Sequence, residues 1–458
     1  MDLTYRADRA ADARRAAAGL TAAGVVGVAL TWVDNSGLTR VKAVPVARLE
    51  HAARWGVGAS PVFDTFLVDD STVSGRFAGG PVGDLRLHAD LHRLVPLAAQ
   101  PGWAWAPADR YDQDGRPHPQ DNRALLRHEV DRLAARGLSV KAAVEVEWCA
   151  SRGPGEEFVP ACHGPAYGMT RLTELSGYLR EVLDALTAEG VPVEQIHPEY
   201  AAGQYEVSVA AEDPVGAADT AVLVRETIRA VSARHDLRAT FAPKVLADGV
   251  GNGGHIHLSL WRDGVNVMTG GADRYGLTAA GAAFTGGILA RLSALLAIGA
   301  PSVASYLRLI PSHWAGAFAC WGRENREAAL RFITGTAGNR AAEANLEVKC
   351  FDAAANPYLA LAALLAAGQA GLSEGAALPD PVEVDPASLD PGERQARGIA
   401  ALPSSLAEAV TAMQAEPALT GTFGEELIDT IAAVRHGEIA LLGDLEPAEI
   451  AARTRWRY

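Results

Sequence analysis

Two short runs, Glu145-Val146-Glu147-Trp148 and His255-Ile256-His257-Leu258-Ser259, alternate polar and apolar residues strictly. A strand sends successive side chains to opposite faces, so Glu145 and Glu147 are predicted to share one face while Val144 and Val146 take the other. Glu347-Val348-Lys349 repeats the pattern, and Glu199 and Glu206 flank Gly203-Gln204. Such runs constrain the chain to a sheet with one charged face, and buried charges of one sign need counter-ions. Five carboxylates with the His255 imidazole suit Mg²⁺ or Mn²⁺ beside substrate phosphates better than structural zinc. Taken singly, each glutamate is more simply a solvated strand face, and each histidine is as readily a hydrogen-bonded core residue. Their joint occurrence favours metal-dependent phosphoryl chemistry.

The 458 residues allow two or three domains, and 49% hydrophobic with 21% charged residues supply an ordinary globular core. A net charge of −14 with no basic stripe argues against nucleic acid and anionic membranes, which leaves small molecules as partners. Only four of the 41 basic residues are lysines (Lys42, Lys141, Lys244, Lys349), so each lysine departs from the chain's habit. Cys149, Cys162, Cys320 and Cys350 are scattered without a C-x-x-C pair, which fits a reducing cytoplasm. The Arg-rich start is no signal peptide, and no apolar run reaches spanning length.

The pattern predicts an α+β fold. Residues 1–22 read as a helix, and Gly24 to Leu30 with Leu38 to Val44 read as a hairpin around Asp34-Asn35-Ser36-Gly37. A Trp, Pro and Gly-rich stretch from Pro101 to Pro119 places a boundary near residue 105, giving domains 1–104 and 105–458. In the second, helices at roughly 122–136, 170–189, 215–235, 277–298 and 356–372 alternate with strands at 140–148, 203–210, 255–261 and 345–351, as a mixed sheet backed by helices. No lysine follows a glycine, so a Walker-type phosphate loop is absent. Gly249-Val250-Gly251-Asn252-Gly253-Gly254 matches G-x-G-x-x-G but enters a strand instead of opening a helix, so the dinucleotide reading fails on context.

His197-Pro198-Glu199-Tyr200-Ala201-Ala202-Gly203-Gln204-Tyr205-Glu206, Phe241-Ala242-Pro243-Lys244 and Gly253-Gly254-His255-Ile256-His257-Leu258-Ser259 resemble the middle of a glutamine synthetase. Arg308-Leu309 with Pro311, Trp321 with Asn325-Arg326 and Arg331, and Leu346-Glu347-Val348-Lys349 continue the resemblance, which runs from about Val28 to Gly371. It implies an N-terminal β-grasp domain, a catalytic sheet domain and a homo-dodecamer of stacked hexameric rings. It also implies ATP as co-substrate with two or more Mg²⁺ or Mn²⁺ ions per site. Glu147, Glu199 and Glu206 would ligate one ion and Glu145, His255 and Glu347 the other. Arg308 would hold the glutamate α-carboxylate, Arg326 and Arg331 would face the transferring phosphate, and His257 with Ser259 would lie near ATP.

The chain departs from the family at the flap. A glutamate that helps deprotonate ammonium is replaced by Trp314, six residues after Arg308. General-base help is worth about 10² to 10⁴ in rate, so ammonia chemistry should weaken unless Glu324 or Asp64 substitutes. Asp64 is the candidate for the family's ammonium-binding aspartate. Tryptophan offers an apolar wall or a cation–π face, which favours a larger amine. Lys349 replaces an arginine and loses its bidentate fork. Val250 stands where a glutamate-contacting asparagine is usual, leaving Gly251 and Asn252 at the substrate. The expectation is a glutamate–amine ligase resembling the γ-glutamylethanolamide synthetase type first and the γ-glutamylpolyamine type second. Ordinary glutamine synthesis and a non-catalytic ring-forming homologue are the remaining alternatives.

Overall fold

Asp34 fixes the predicted hairpin: its Oδ1 accepts from the Ser36 and Leu38 amides and its Oδ2 from Arg40 Nε at 2.7 Å. The computed structural model describes residues 3–273 and 275–458. In it the strands Gly27–Val33 and Thr39–Pro45 pair antiparallel around this turn. The tip is buried, because the rest of the chain closes on it. Asn122 and Asn356 side-chain amides donate to the Val33 carbonyl, and Arg435 donates to that of Asn35. A Cβ on Gly37 would lie 1.8 Å from the Ala354 carbonyl oxygen, so glycine is required there, at φ 82°.

Gly27–Val33 also pairs in parallel with Trp103–Tyr111, a strand that runs across residue 105, and the sheet continues through Leu85–Ala89 to Val57–Ala59. Leu30, Leu87, Ala104 and Ala106 meet Ala13 and Leu20 of helix Leu3–Ala22 and Leu49 of helix Leu49–Trp55 in one apolar cluster.

Beyond it the fold is α+β, as expected, but the single sheet is in fact two. Four strands in the order Leu237–Thr240, Val146–Arg152, Gln204–Val209, Val193–Pro198 make one. The other, of seven strands, includes Ile256–Arg262, Asn345–Val348, Ala328–Ile333 and Phe318–Arg323, with Ser139–Val144 on Ile256–Arg262. The predicted strand 140–148 is therefore divided at Glu145, whose amide donates to the His255 carbonyl at 2.9 Å. Glu145 stands where the chain leaves one sheet for the other.

Helix Pro214–Arg234 lies against three of these strands, and Pro357–Glu374 is buried along nearly its whole length. Asn356 caps the latter by accepting from the Tyr358 and Leu359 amides, Pro357 opens it, and Gly375 closes it in the left-handed region. A Cβ on Gly371 would lie 2.5 Å from the Gly287 Cα, so glycines let this helix touch Ala279–Ala290. The predicted helix 277–298 is bent by 71° at Arg291, whose guanidinium is drawn to Glu374 and Glu416. Helix 170–189 is likewise interrupted, at Leu175. Among the described residues no single helix is long and apolar enough to cross a membrane.

Candidate active site

Strand register builds the site. Glu206 stands opposite Glu147 on one side and His197 on the other, so three ionisable side chains form a row across the four-stranded sheet. Glu199 follows just past the strand Val193–Pro198, and donor atoms of His197, Glu199 and Glu206 lie within 4.8 Å of one another. In the seven-stranded sheet Glu347 stands opposite both His257 and Arg331. Glu145, His255 and Glu347 form a second group of the same tightness: His255 Nδ1 is 2.8 Å from Glu145 Oε2 and 3.3 Å from Glu347 Oε1. Glu147 bridges the groups, with Oε1 4.0 Å from His255 Nε2 and Oε2 accepting from Gln204 at 3.1 Å. Gly253 makes room between the sheets, since a Cβ there would lie 2.6 Å from both Glu147 Oε1 and His255 Nε2. Glu145, Glu199 and His255 all stand just off strand ends, where loops present side chains that a rigid sheet positions.

The two halves differ in charge balance. Burial raises the Glu347 carboxyl, but Lys349, His255 and His257 outweigh it and hold it down at about 2. Burial likewise opposes the charge on Glu145, yet its histidine partners keep it well below the usual carboxylate range. His257, whose Nε2 is 3.0 Å from Glu145 Oε1, is raised to about 9 by that carboxylate despite burial. Across the site the cations run out. Burial, then Glu145, Glu147 and Glu199, push Glu206 up to about 10, and burial raises Glu147. A hard-oxygen donor set that resists ionising for want of positive charge fits a divalent cation such as Mg²⁺ or Mn²⁺.

Cationic side chains rim the cluster. Arg331 Nη1 donates to Glu347 Oε2 at 3.0 Å, and Lys349 Nζ donates to Oε1 at 3.1 Å. Arg308 Nη2 donates to the Lys349 carbonyl and lies 3.2 Å from His255 Nε2, while the buried Nη1 has no hydrogen-bond partner. Beside the cluster opens a cavity of about 290 Å³, lined by Lys141, Glu145, His257, Ser259 and Asn345 among others.

The glutamine synthetase catalytic-domain family matches residues 119–451. The chain belongs to the glutamine synthetase family. It is 57% identical over 442 residues to the γ-glutamylpolyamine synthetase GlnA3 of Streptomyces coelicolor, covering 96% of this chain and 95% of that one. It is 31% identical over 405 residues to the glutamine synthetase of Pyrococcus abyssi, covering 87% of each. Among solved structures, a glutamine synthase homologue superposes with a TM-score of 0.85 at 34% identity, over 95% of this chain and 99% of that one. An ADP complex of GmaS gives 0.82 at 28% identity, over 94% and 96%. This member of the glutamine synthetase family is thus an ATP-dependent carbon–nitrogen ligase acting on small molecules, and the family uses ATP with divalent metal ions.

Against the pattern expected for the family, the structure brings Glu145, His255 and Glu347 together as one group, but gathers Glu199 and Glu206 with His197 and leaves Glu147 between the groups. Arg308, Arg331 and Lys349 reach the cluster, and Gly251 packs on Arg308, whose Cγ would lie 2.7 Å from an added Cβ. Asn252 does not face a substrate: its amide is spent on the Thr240 and Ala242 carbonyls and on Gln204. Arg326 is exposed in the turn between two strands and makes no side-chain hydrogen bond or ion pair among the described residues. Asp64 is remote from the cluster's contacts, because Arg110 and His118 hold it in a buried ion-pair network of the N-terminal region. Glu324 is also committed, to Arg331 and the Thr334 amide. Trp314 is 53% exposed at φ 55°, on a flap over the strand Ala328–Ile333, and not in the core.

Sequence reading missed three contributors. His197 alternates with Glu199, so the period-two rule that found the glutamates could have found it. Tyr167, at a left-handed loop position, donates its amide to the Glu199 carbonyl at 3.4 Å while its ring stacks on His197, and no sequence signal marks it. Arg171 binds the carbonyls of Glu199, Tyr200 and Ala201, holding the loop that carries Glu199.

Proposed function

We propose that this ligase transfers the γ-phosphoryl of ATP to the glutamate side-chain carboxylate and then joins the γ-glutamyl group to a polyamine, giving a γ-glutamylpolyamine, ADP and phosphate. The observation that carries the choice of amine is the 57% identity, across nearly all of both chains, to the γ-glutamylpolyamine synthetase of S. coelicolor. It moves ethanolamine, first on the sequence motifs, behind polyamines. Charge at the flap favours the same order. Asp385 accepts from the Ser312 hydroxyl on the flap, so a carboxylate lies where a polyamine's second cationic nitrogen can sit.

Within this reading Arg308 takes the glutamate α-carboxylate, for which its unpartnered buried Nη1 is the free donor, with Gly251 and Lys349 beside it. Arg331 neutralises the phosphoryl in transit, and Arg326 joins it by closure of its exposed turn. His257 and Ser259 border the cavity assigned to ATP. Glu145, His255 and Glu347 would hold one Mg²⁺ or Mn²⁺ and Glu147, Glu199 and Glu206 the other, supplying positive charge against the spreading phosphoryl charge. The β-grasp unit runs from the N-terminus through the strand Trp103–Tyr111, past the boundary expected at residue 105, and the rest forms the catalytic unit, assembled as stacked hexameric rings in the cytoplasm.

An ADP-release screen with glutamate and single amines tests the reading: putrescine or spermidine is expected to turn over at least about tenfold faster than ethanolamine or ammonium, by the scale of general-base and charge effects. Faster turnover of ethanolamine restores that amine. Trp314→Glu should raise the ammonium rate at least about tenfold, since a flap carboxylate is worth about 10² to 10⁴. An unchanged ammonium rate removes Trp314 as the discriminator.

A further inference from the structure

Ala329 and Arg331 alternate along the strand Ala328–Ile333, and Glu327 stands in the turn just before it. Arg331 stands opposite Glu347, and the Lys349 amide donates to the Ala329 carbonyl at 2.9 Å. Glu327 thus enters the strand at its Ala329 end, where Lys349 pairs, away from Arg331. The flap crosses the strand at this point. A Cβ on Gly316 would lie 2.8 Å from the Ala329 Cα, and the Trp314 amide donates to Glu327 Oε1 at 2.8 Å. Among the described residues Glu327 Oε2 has no hydrogen-bond partner.

Burial raises the Glu327 carboxyl above the ordinary carboxylate range and Asp385 adds to this, while the Trp314 amide, His313 and Lys349 pull the other way. These are the charged groups that face it. A carboxylate so placed is more basic than a solvated one. The two carboxylates that the sequence offered for the same task are occupied, Glu324 by Arg331 and Asp64 by Arg110 and His118.

We infer that Glu327 binds the ammonium group of the incoming amine and takes its proton, supplying from beneath the flap the carboxylate that Trp314 does not. The inference rests on the glutamate–amine ligation proposed above. One N–H proton of the ammonium passes to Glu327 Oε2. The freed lone pair forms the C–N bond at the γ-carbonyl carbon, the carbon–oxygen bond to phosphate breaks with its electron pair on phosphate, and the second nitrogen proton goes to the departing phosphate. Glu327 then returns its proton to water.

The test compares a polyamine with hydroxylamine, which is already neutral near pH 7 and needs no deprotonation. Glu327→Gln keeps a carbonyl oxygen for the Trp314 amide but loses charge and basicity. The ratio of polyamine to hydroxylamine turnover is expected to fall about 10²-fold, the scale of a lost general base, and Glu327→Asp should recover part of it. An unchanged ratio overturns the inference, whether both rates hold or both collapse through misfolding of the flap. If the wild-type protein uses ethanolamine or ammonium in place of polyamines, the polyamine reading fails on its own, and the same ratio taken with that amine still decides the role of Glu327.

Discussion

Glu347→Gln is expected to lower ADP formation by about 10² to 10³, the range for removing one preorganised charge-stabilising group. Glu347 is 2% exposed, and its two oxygens organise Lys349, Arg331 and His255 at 3.0 to 3.3 Å. A glutamine keeps the shape but exchanges one acceptor for an NH₂ donor. Arg331 and Lys349 are donors only, so one of them must lose its partner and move. The same change removes a carboxylate from the group that fits a divalent ion. A thermal melt with a cooperative transition would show that the variant folds. Turnover within a few-fold of wild type would then mean that Glu347 is not at the reacting phosphate.

Metal removal should make stability fall with rising pH between about 6.5 and 9, a range in which most carboxylates have long since ionised. The sign follows from two groups. Glu206 is raised from 4.5 to about 10 in the folded chain, so the folded state holds a proton that the unfolded state has released. That contribution is complete below the unfolded value, declines as pH rises, and is gone above about 10. His257 is raised from 6.5 to about 9, so its contribution is complete below 6.5 and is lost through 9. Each group gives a slope of at most about 1.4 kcal/mol per pH unit. Glu347, lowered to about 2, acts oppositely and only below 4.5, outside the window. With Mg²⁺ in excess Glu206 is held ionised, its slope disappears, and a ligand at 100 times its Kd adds about 2.7 kcal/mol. Denaturant melts in chelator and in Mg²⁺ at pH 6.5, 7.5 and 9 check this. Identical slopes in the two series, or metal-free stability that rises with pH, would contradict the metal assignment.

Alternation was the most informative sequence signal for the site, because side-chain direction in a strand follows from local geometry alone. It located Glu147, Glu206 and Glu347 on strands and Glu145, Glu199 and His255 at their margins. It could not show that residues 140–148 pass between two sheets, since Cys149 pairs with Gln204 and Val144 with Ile256, far along the chain, and an isolated run carries no record of them. The same limit hid the place of Glu147: expected beside Glu199 and Glu206, it does stand opposite Glu206, but the Gly253 turn also brings it within reach of His255, at the junction of the two groups. Helices were legible where caps were strong, as at Asn356 and Gly375, and over-extended where one half-buried charge, Arg291, broke an otherwise continuous apolar pattern. The partners of Asp64 were invisible in one dimension: Arg110 and His118 hold its carboxylate in a buried ion-pair network. Glu327 was passed over beside two conspicuous arginines because it stands in a turn, where alternation gives no side-chain direction.

Competition between nucleophiles is the sharpest measurement. Wild-type protein given ATP, Mg²⁺, glutamate and equal concentrations of putrescine, ethanolamine and ammonium should yield γ-glutamylputrescine as the dominant product by mass spectrometry, with ADP formed in equal amount. Glutamine or γ-glutamylethanolamide as the dominant product would contradict the polyamine assignment, and no product with no ADP would contradict catalysis at the clustered carboxylates.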